Sequence, residues 1–273
     1  MDYLRAAILG IVQGLSEFLP ISSSGHLILI RSLFDWPDQG LAFDVGLHLG
    51  TMLALLIYFW RDWWRMGRAG VSDLVGHGAR FANHSQDSRL LWLIALGSIP
   101  AAVVGLLFND WIEEEVRQPW LVALMLALFG LVMLLAEKTS RRTRGIDSIG
   151  VRDAVFIGLA QSVALIPGVS RSGLTISVGM FRQLTRDAAA RFAFLLGTPA
   201  FVGAAILESK DLTSLTNHEW TELAIGFAFS FAVGMLVIHF LMRFLRTRTL
   251  MPFVYYRFMV AGLTLLIGAF RMA

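Results

Sequence analysis

Residues 155–173 read VFIGLAQSVALIPGVSRSG, and residues 7–25 read AILGIVQGLSEFLPISSSG. With one set on the other, Gly10, Gln13, Ser22, Ser24 and Gly25 fall on Gly158, Gln161, Ser170, Ser172 and Gly173. Pro20 and Pro167 differ by one position. Each stretch is mainly apolar and is broken in its middle by proline, glycine and serine. Self-similarity at a fixed offset is the mark of a duplicated architecture. Further along, Leu49-Gly50-Thr51 recurs as Leu196-Gly197-Thr198, and a weaker match sets Gly97 and Gly105 against Gly226 and Gly234.

The rest of the chain has the composition of a membrane protein. Of 273 residues, 56% are hydrophobic and 16% charged, with mean hydropathy +0.65; a soluble domain carries about a quarter charged residues. Six more stretches approach the roughly 20 apolar residues that cross a bilayer. They are Leu41–Trp60, Leu90–Phe108, Pro119–Ala136, Ala188–Leu207, Leu223–Met242 and Pro252–Phe270. A soluble core does not hold six such helices in so short a chain. The net charge of +3 does not indicate nucleic acid, because the Lys and Arg sit in short loops beside apolar stretches. With no Cys, disulfides, a thiolate nucleophile and a thiolate metal site are excluded. The first segment contains Gln13 and Glu17 and ends in Pro-Ile-Ser-Ser-Ser-Gly, unlike a cleavable signal peptide.

Loop charges orient the chain. Loop 61–89 has five Arg, loop 138–152 one Lys and four Arg, and loop 243–250 three Arg; loops 109–118 and 208–222 each carry one basic residue among four acids. The first group is expected in the cytoplasm and the second outside. Only one of the two apolar stretches between 152 and 208 can then cross. Residues 153–181, broken at Pro167–Gly173, are expected to dip in and return, leaving Arg182 and Arg186 on the cytoplasmic side. Residues 4–30 become a second re-entrant hairpin, entering from outside. The expected organisation is one all-α membrane domain over 1–273, with inverted repeats at 1–137 and 151–273 and a cytoplasmic linker at 138–150. Each repeat has one re-entrant hairpin and three spans, and both termini lie outside. Irregular backbone at membrane depth persists only inside protein or beside a wet cavity, and broken helices of inverted repeats meet at a polar site. The site is therefore expected between the two hairpin tips.

The tips offer Gln13 and Glu17 on one helical face, then Ser22, Ser23, Ser24 and His26, and opposite them Ser170, Arg171, Ser172 and Thr175. An ionised side chain at the bilayer centre costs about 2.5–3.5 kcal/mol on insertion scales, so Glu17 and Arg171 either pair with each other or hold a charged ligand. Arg grips phosphoryl oxygens in pairs, and helix N-termini favour anions. Glu with Gln suits a hard divalent ion such as Mg²⁺ or Ca²⁺. Ser or His can attack phosphorus, and His can act as base. Plainer readings stand beside these. Ser22 and Gly25 can simply allow close packing, and Gln13 and Gln161 can bridge helices. His48 and His239 read as core histidines, Asp44 as a helix-start carboxylate, and Glu113-Glu114-Glu115 as a solvated loop. Trp60, Trp63, Trp64, Trp120, Tyr255 and Tyr256 read as interfacial anchors.

QGLSEFLPISSSGH (13–26) and PGVSRSGLT (167–175) closely resemble the two signature motifs of the undecaprenyl-diphosphate phosphatase family, the bacitracin-resistance type of membrane phosphatase. The likeness extends through FDVGLHLGTMLA (43–54) and FLLGTPAFVGA (194–204). It implies hydrolysis of a polyprenyl diphosphate lipid to the monophosphate carrier for cell-wall synthesis and inorganic phosphate. It also implies a divalent metal and a place in the bacterial cytoplasmic (inner) membrane, and it leaves a homodimer open. Carried over, Glu17 is the metal contact with Gln13 at the family's variable acid position. Ser23 and His26 are the alternative nucleophile and base. Arg171 is the phosphate-binding arginine, with Ser22, Ser24, Ser170, Ser172 and Thr175 around the substrate. Asp44 and His48 depart from the Glu and Gln of the family pattern and are left outside the site. A transporter or flippase for a polyprenyl phosphate is the rival reading, since inverted repeats with broken helices are also transporter architecture.

Overall fold

The computed structural model describes residues 2–37, 40–78, 80–116, 118–208 and 216–272. Those residues form eleven α-helices and no strand. Asp2 caps the first, its carboxylate accepting from the Leu4 N–H. Helix α1 (Tyr3–Phe18) and α2 (Ser23–Leu33) flank the break at Leu19–Ser22. Then come α3 (Leu41–Tyr58), α4 (Trp60–His77), α5 (Gln86–Glu115) and α6 (Pro119–Thr139). The second broken pair is α7 (Val151–Val163) and α8 (Arg171–Phe181), followed by α9 (Arg186–Glu208), α10 (Asn217–Phe244) and α11 (Met251–Met272).

All six expected spans are helical. Four of them, α5, α6, α10 and α11, are long and apolar enough to cross a membrane, and α3 joined to α4 qualifies as a pair bent by 66°. By that measure α9 is not among them on its described residues. Leu106, Leu107, Leu124, Leu236, Tyr255 and Leu266 all turn outward, as side chains facing lipid do. The fold is an all-α integral membrane fold. Two loop expectations are corrected. The stretch 61–89 contains α4, and Glu113–Glu115 continue α5 because nothing before Val116 stops that helix; the Glu113–Glu115 side chains, like Lys210 and Asp211 of the expected outer loop, lie outside the described residues.

The halves exchange partners. Helix α1 packs on α10, and α7 packs on α5; α3 also lies on α10, α9 on α5, and α6 on α11. Glycine makes the exchange close. A Cβ on Gly10 would sit 2.5 Å from the carbonyl oxygen of Gly226, and one on Gly158 would run into the carbonyl of Gly97. These four glycines are the ones that the repeat aligns in pairs, so the weak match of Gly97 with Gly226 marks equivalent crossing points. Where the linker meets α7, Asp153 accepts from Arg144 (2.7 Å), Arg182 (2.8 Å) and the Gly150 N–H (3.0 Å). Glu137 at the end of α6 accepts from Arg142 (2.7 Å), Arg186 and the Leu250 N–H (3.1 Å). Several charge-assisted bonds thus hold the base of the second hairpin.

Candidate active site

Both hairpin breaks end in the same local device. Ser22 (φ 76, ψ 102) and Ser170 (φ 74, ψ 109) cap α2 and α8, each with its hydroxyl accepting from the N–H three residues on, Gly25 and Gly173. A non-glycine residue at such φ is uncommon, and such strain persists only where the surroundings over-determine it. Here they do. The Ser22 hydroxyl also accepts from the Gly168 N–H of the other tip (3.1 Å), and Ser172 Oγ donates to the Leu19 carbonyl (3.1 Å). Gly168, at φ 90, lies where a Cβ would stand 2.6 Å from the Val122 carbonyl oxygen, so only glycine fits this contact. The tips are bonded directly to each other, and the N-termini of α2 and α8 open beside one another.

Glu17 stands at the centre of the junction. Its Oε2 accepts from Gln13 Nε2 (2.9 Å) and Ser23 Oγ (2.5 Å), and its Oε1 from Arg171 Nη2 (3.1 Å). Arg171 and Ser23 are each the first residue of the helix after a break, so the repeat places a hydroxyl and a guanidinium at equivalent points. The guanidinium lies 3.7 Å from the centre of the Phe201 ring, which holds its plane. Gln13 is fully buried, and its Oε1 has no hydrogen-bond partner among the described residues. Four predicted residues, Gln13, Glu17, Ser23 and Arg171, are therefore together in one place.

The other predicted residues build the tips. Ser22, Ser170 and Ser172 carry the contacts just described, Ser24 lies 3.5 Å from Ser22 Oγ, and Thr175 donates to the Arg171 carbonyl (2.6 Å) within its own helix. His26 points elsewhere. Its Nδ1 lies 2.7 Å from the Ser22 carbonyl oxygen and its Nε2 2.8 Å from the Tyr256 hydroxyl, with the two rings stacked. The carbonyl can only accept, so Nδ1 carries a proton, and in the neutral ring Nε2 then accepts from the Tyr256 hydroxyl. His26 and Ser23 share a helix but not a hydrogen bond.

Four residues at or beside the site differ from the sequence reading or lie outside it. Tyr256, expected as an anchor, binds His26. His48, expected in the core, has Nε2 3.8 Å from Glu17 Oε2, and Asp44 forms a two-bond pair with Arg31. Arg257 is fully buried and donates to the carbonyls of Pro20 (3.4 Å), Gly168 (2.8 Å), Leu126 (3.0 Å) and Met125 (3.3 Å). It ties both tips to α6. The signal was present: an arginine inside an apolar span is a site candidate by default, the same rule that picked out Glu17 and Arg171.

The donor set can be tested against a divalent ion. Among the described residues no group of three His, Cys, Asp and Glu side chains forms a metal cluster. Glu17, the unpartnered amide oxygen of Gln13 and the Ser23 hydroxyl form an oxygen-rich set with one charge. That fits a hard ion that takes its remaining ligands from phosphate and water.

Comparison with known proteins places the chain in a family. Residues 6–263 match the family model described as bacitracin resistance protein BacA. The chain is 42% identical over 270 residues to an undecaprenyl-diphosphatase of Nocardioides sp., covering 98% of this chain and 97% of the relative. It is 45% identical over 277 residues to the Micrococcus luteus undecaprenyl-diphosphatase, 98% of each, and 46% over 268 residues to that of Geobacter sulfurreducens, 97% of this chain and 98% of the relative. With a match of that length, the chain belongs to the bacitracin resistance protein BacA family.

Proposed function

We propose that the chain hydrolyses undecaprenyl diphosphate to undecaprenyl phosphate and inorganic phosphate at the junction of the two hairpin tips. This returns the lipid carrier to cell-wall synthesis and confers bacitracin resistance. The carrying observation is the convergence of Ser23, Glu17 and Arg171 on one point beneath two helix N-termini. Arg171 grips phosphoryl oxygens through its planar fork, and the first N–H groups of α2 and α8, which have no partner within their helices, add donors for the same anion. Ser23 Oγ attacks the terminal phosphorus while Glu17 accepts its proton. The Oγ–P bond forms, the bond from phosphorus to the bridging oxygen breaks, and undecaprenyl phosphate leaves. Water then cleaves the seryl phosphate. His26 holds the Ser22 cap and meets Tyr256. Glu17 and Gln13 would hold a divalent ion, which, when bound, neutralises phosphate charge and promotes loss of the hydroxyl proton. One copy supplies every residue of this site.

The reading places the chain in the bacterial cytoplasmic membrane, its halves inverted and both termini outside. Exchange of helix partners between halves supports it. Single cysteines at Asp35 and Thr143 test the topology: an impermeant thiol reagent on intact cells is expected to label position 35 and not 143, and labelling at 143 would defeat the inverted arrangement. The activity is tested by phosphate release from a polyprenyl diphosphate in detergent. A lipid carrier without a hydrolytic centre would release none, and a seryl phosphate trapped in wild type but absent in Ser23→Ala identifies the nucleophile.

A further inference from the structure

We propose that His48 is a third donor to the ion at Glu17, and that it turns the site toward a nitrogen-accepting transition ion such as Mn²⁺ over Mg²⁺ or Ca²⁺. This rests on the reading of a divalent ion at Glu17 and Gln13. Helix α3 presents His48 to α1, with Nε2 3.8 Å from Glu17 Oε2. The other ring nitrogen, Nδ1, lies 2.8 Å from the Asp44 carbonyl oxygen. A carbonyl only accepts, so Nδ1 carries a proton, and Nε2 is the ring nitrogen turned toward the carboxylate, free to donate its lone pair to an ion when it carries no proton. Metal-binding imidazoles are held in this way, the far N–H bonded to a carbonyl or carboxylate that sets tautomer and orientation.

Three further observations agree. The His48 side chain is 37% exposed, so it does not sit in a sealed core. Its helix turn is fixed on both sides: Arg31 holds the Asp44 carboxylate with two bonds, and Thr51 Oγ1 donates to the His48 carbonyl (2.9 Å). Gln13 supplies the independent sign of a missing ligand. With its Nε2 on Glu17 Oε2, its Oε1 is left buried and unpartnered. A cation there satisfies that oxygen.

The spacing is compatible with one shared ion. Two donors each about 2.0–2.2 Å from a metal lie up to about 4 Å apart, and Nε2 and Oε2 are 3.8 Å apart. Selectivity follows from donor type. Carboxylate and amide oxygens alone suit Mg²⁺ and Ca²⁺. An imidazole nitrogen adds affinity along the transition series and little for Mg²⁺ or Ca²⁺. Further ligands would come from substrate phosphate and water.

The test measures the ion itself. Purified full-length protein in detergent, stripped with chelator, is titrated with Mn²⁺, and the free ion is followed by electron paramagnetic resonance. Wild type is expected to bind Mn²⁺ about 10- to 100-fold more tightly than His48→Gln, and Mg²⁺ to displace it far more readily from the variant. Bound Mn²⁺ is expected to show nitrogen modulation in pulsed spectra that changes with ¹⁵N-histidine labelling and disappears in His48→Gln. Equal Mn²⁺-to-Mg²⁺ preference in the two proteins, or no nitrogen modulation in wild type, overturns the proposal. If Mn²⁺ still binds in those cases and is lost in Glu17→Gln, the ion at Glu17 survives and His48 is only its ion-pair neighbour. If wild type binds no ion at all, the metal reading fails first. Should His48→Gln not fold, the labelled wild-type spectrum decides, because both ring nitrogens of His26 are already bonded.

Discussion

The two hairpin tips have the same backbone and different chemistry. Ser22 and Ser170 adopt nearly one conformation, cap their helices alike and are followed by glycine at the same place. At the same offset, however, Glu17 corresponds to Leu165, Ser23 to Arg171 and His26 to Leu174. The first tip carries carboxylate and hydroxyl, and the second carries the guanidinium. The repeat supplies two helix N-termini side by side, and the differing side chains put the carboxylate and hydroxyl on one tip and the guanidinium on the other. Leu165 packs toward Gly105 of α5.

That comparison is broken most severely at Glu17. Glu17→Gln keeps the shape and removes the charge on which Gln13, Ser23 and Arg171 converge. Phosphate release is expected to fall by about 10³ or more, at least the loss for one preorganised donor. Adding Leu165→Glu should restore nothing, and recovery in the double variant would mean that the tips are chemically interchangeable. Next in size is Arg171→Lys. The charge remains but the fork is lost, and kcat is expected to drop about 10²–10³-fold with insertion unchanged. Near-normal turnover would leave Arg171 as a counter-charge only.

Arg257 tests what holds the tips in register. Arg257→Lys removes the bonds to Pro20 and Gly168 while leaving a buried cation. A hydrogen bond involving a charged group contributes about 1.5–3 kcal/mol, so kcat should fall about 10- to 100-fold, and the melting temperature in detergent should fall with it. Unchanged melting would show that the tips stay joined without Arg257. The smallest effect belongs to Tyr256→Phe. One neutral hydrogen bond contributes about 0.5–1.5 kcal/mol, and a loss of about 2- to 10-fold is expected. A loss beyond 100-fold would bring His26 into the reacting set.

Much of this was legible in the sequence, and for a local reason. The length and mean hydropathy of a window decide whether it can span a bilayer, which located all six long apolar helices. A charge inside such a window is costly wherever it faces, which singled out Glu17 and Arg171 before any fold was known. The repeat located both tips, because proline and glycine act on the backbone where they stand. Helix rotation is not a local property. Whether His48 turned into the core or toward Glu17, and whether Tyr256 lay at the lipid interface or against His26, depended on how α3 packs on α10 and α11 on α6. The serines show the same limit. Their composition suggested phosphate contacts, but the pairing of Ser22 with Gly168 and of Ser172 with Leu19 exists only once two segments about 150 residues apart in the chain are brought together. Sequence alone determined which residues are too costly to leave in lipid; tertiary packing decided which of them meet, because only the rotation and register of whole helices direct a side chain to its partner.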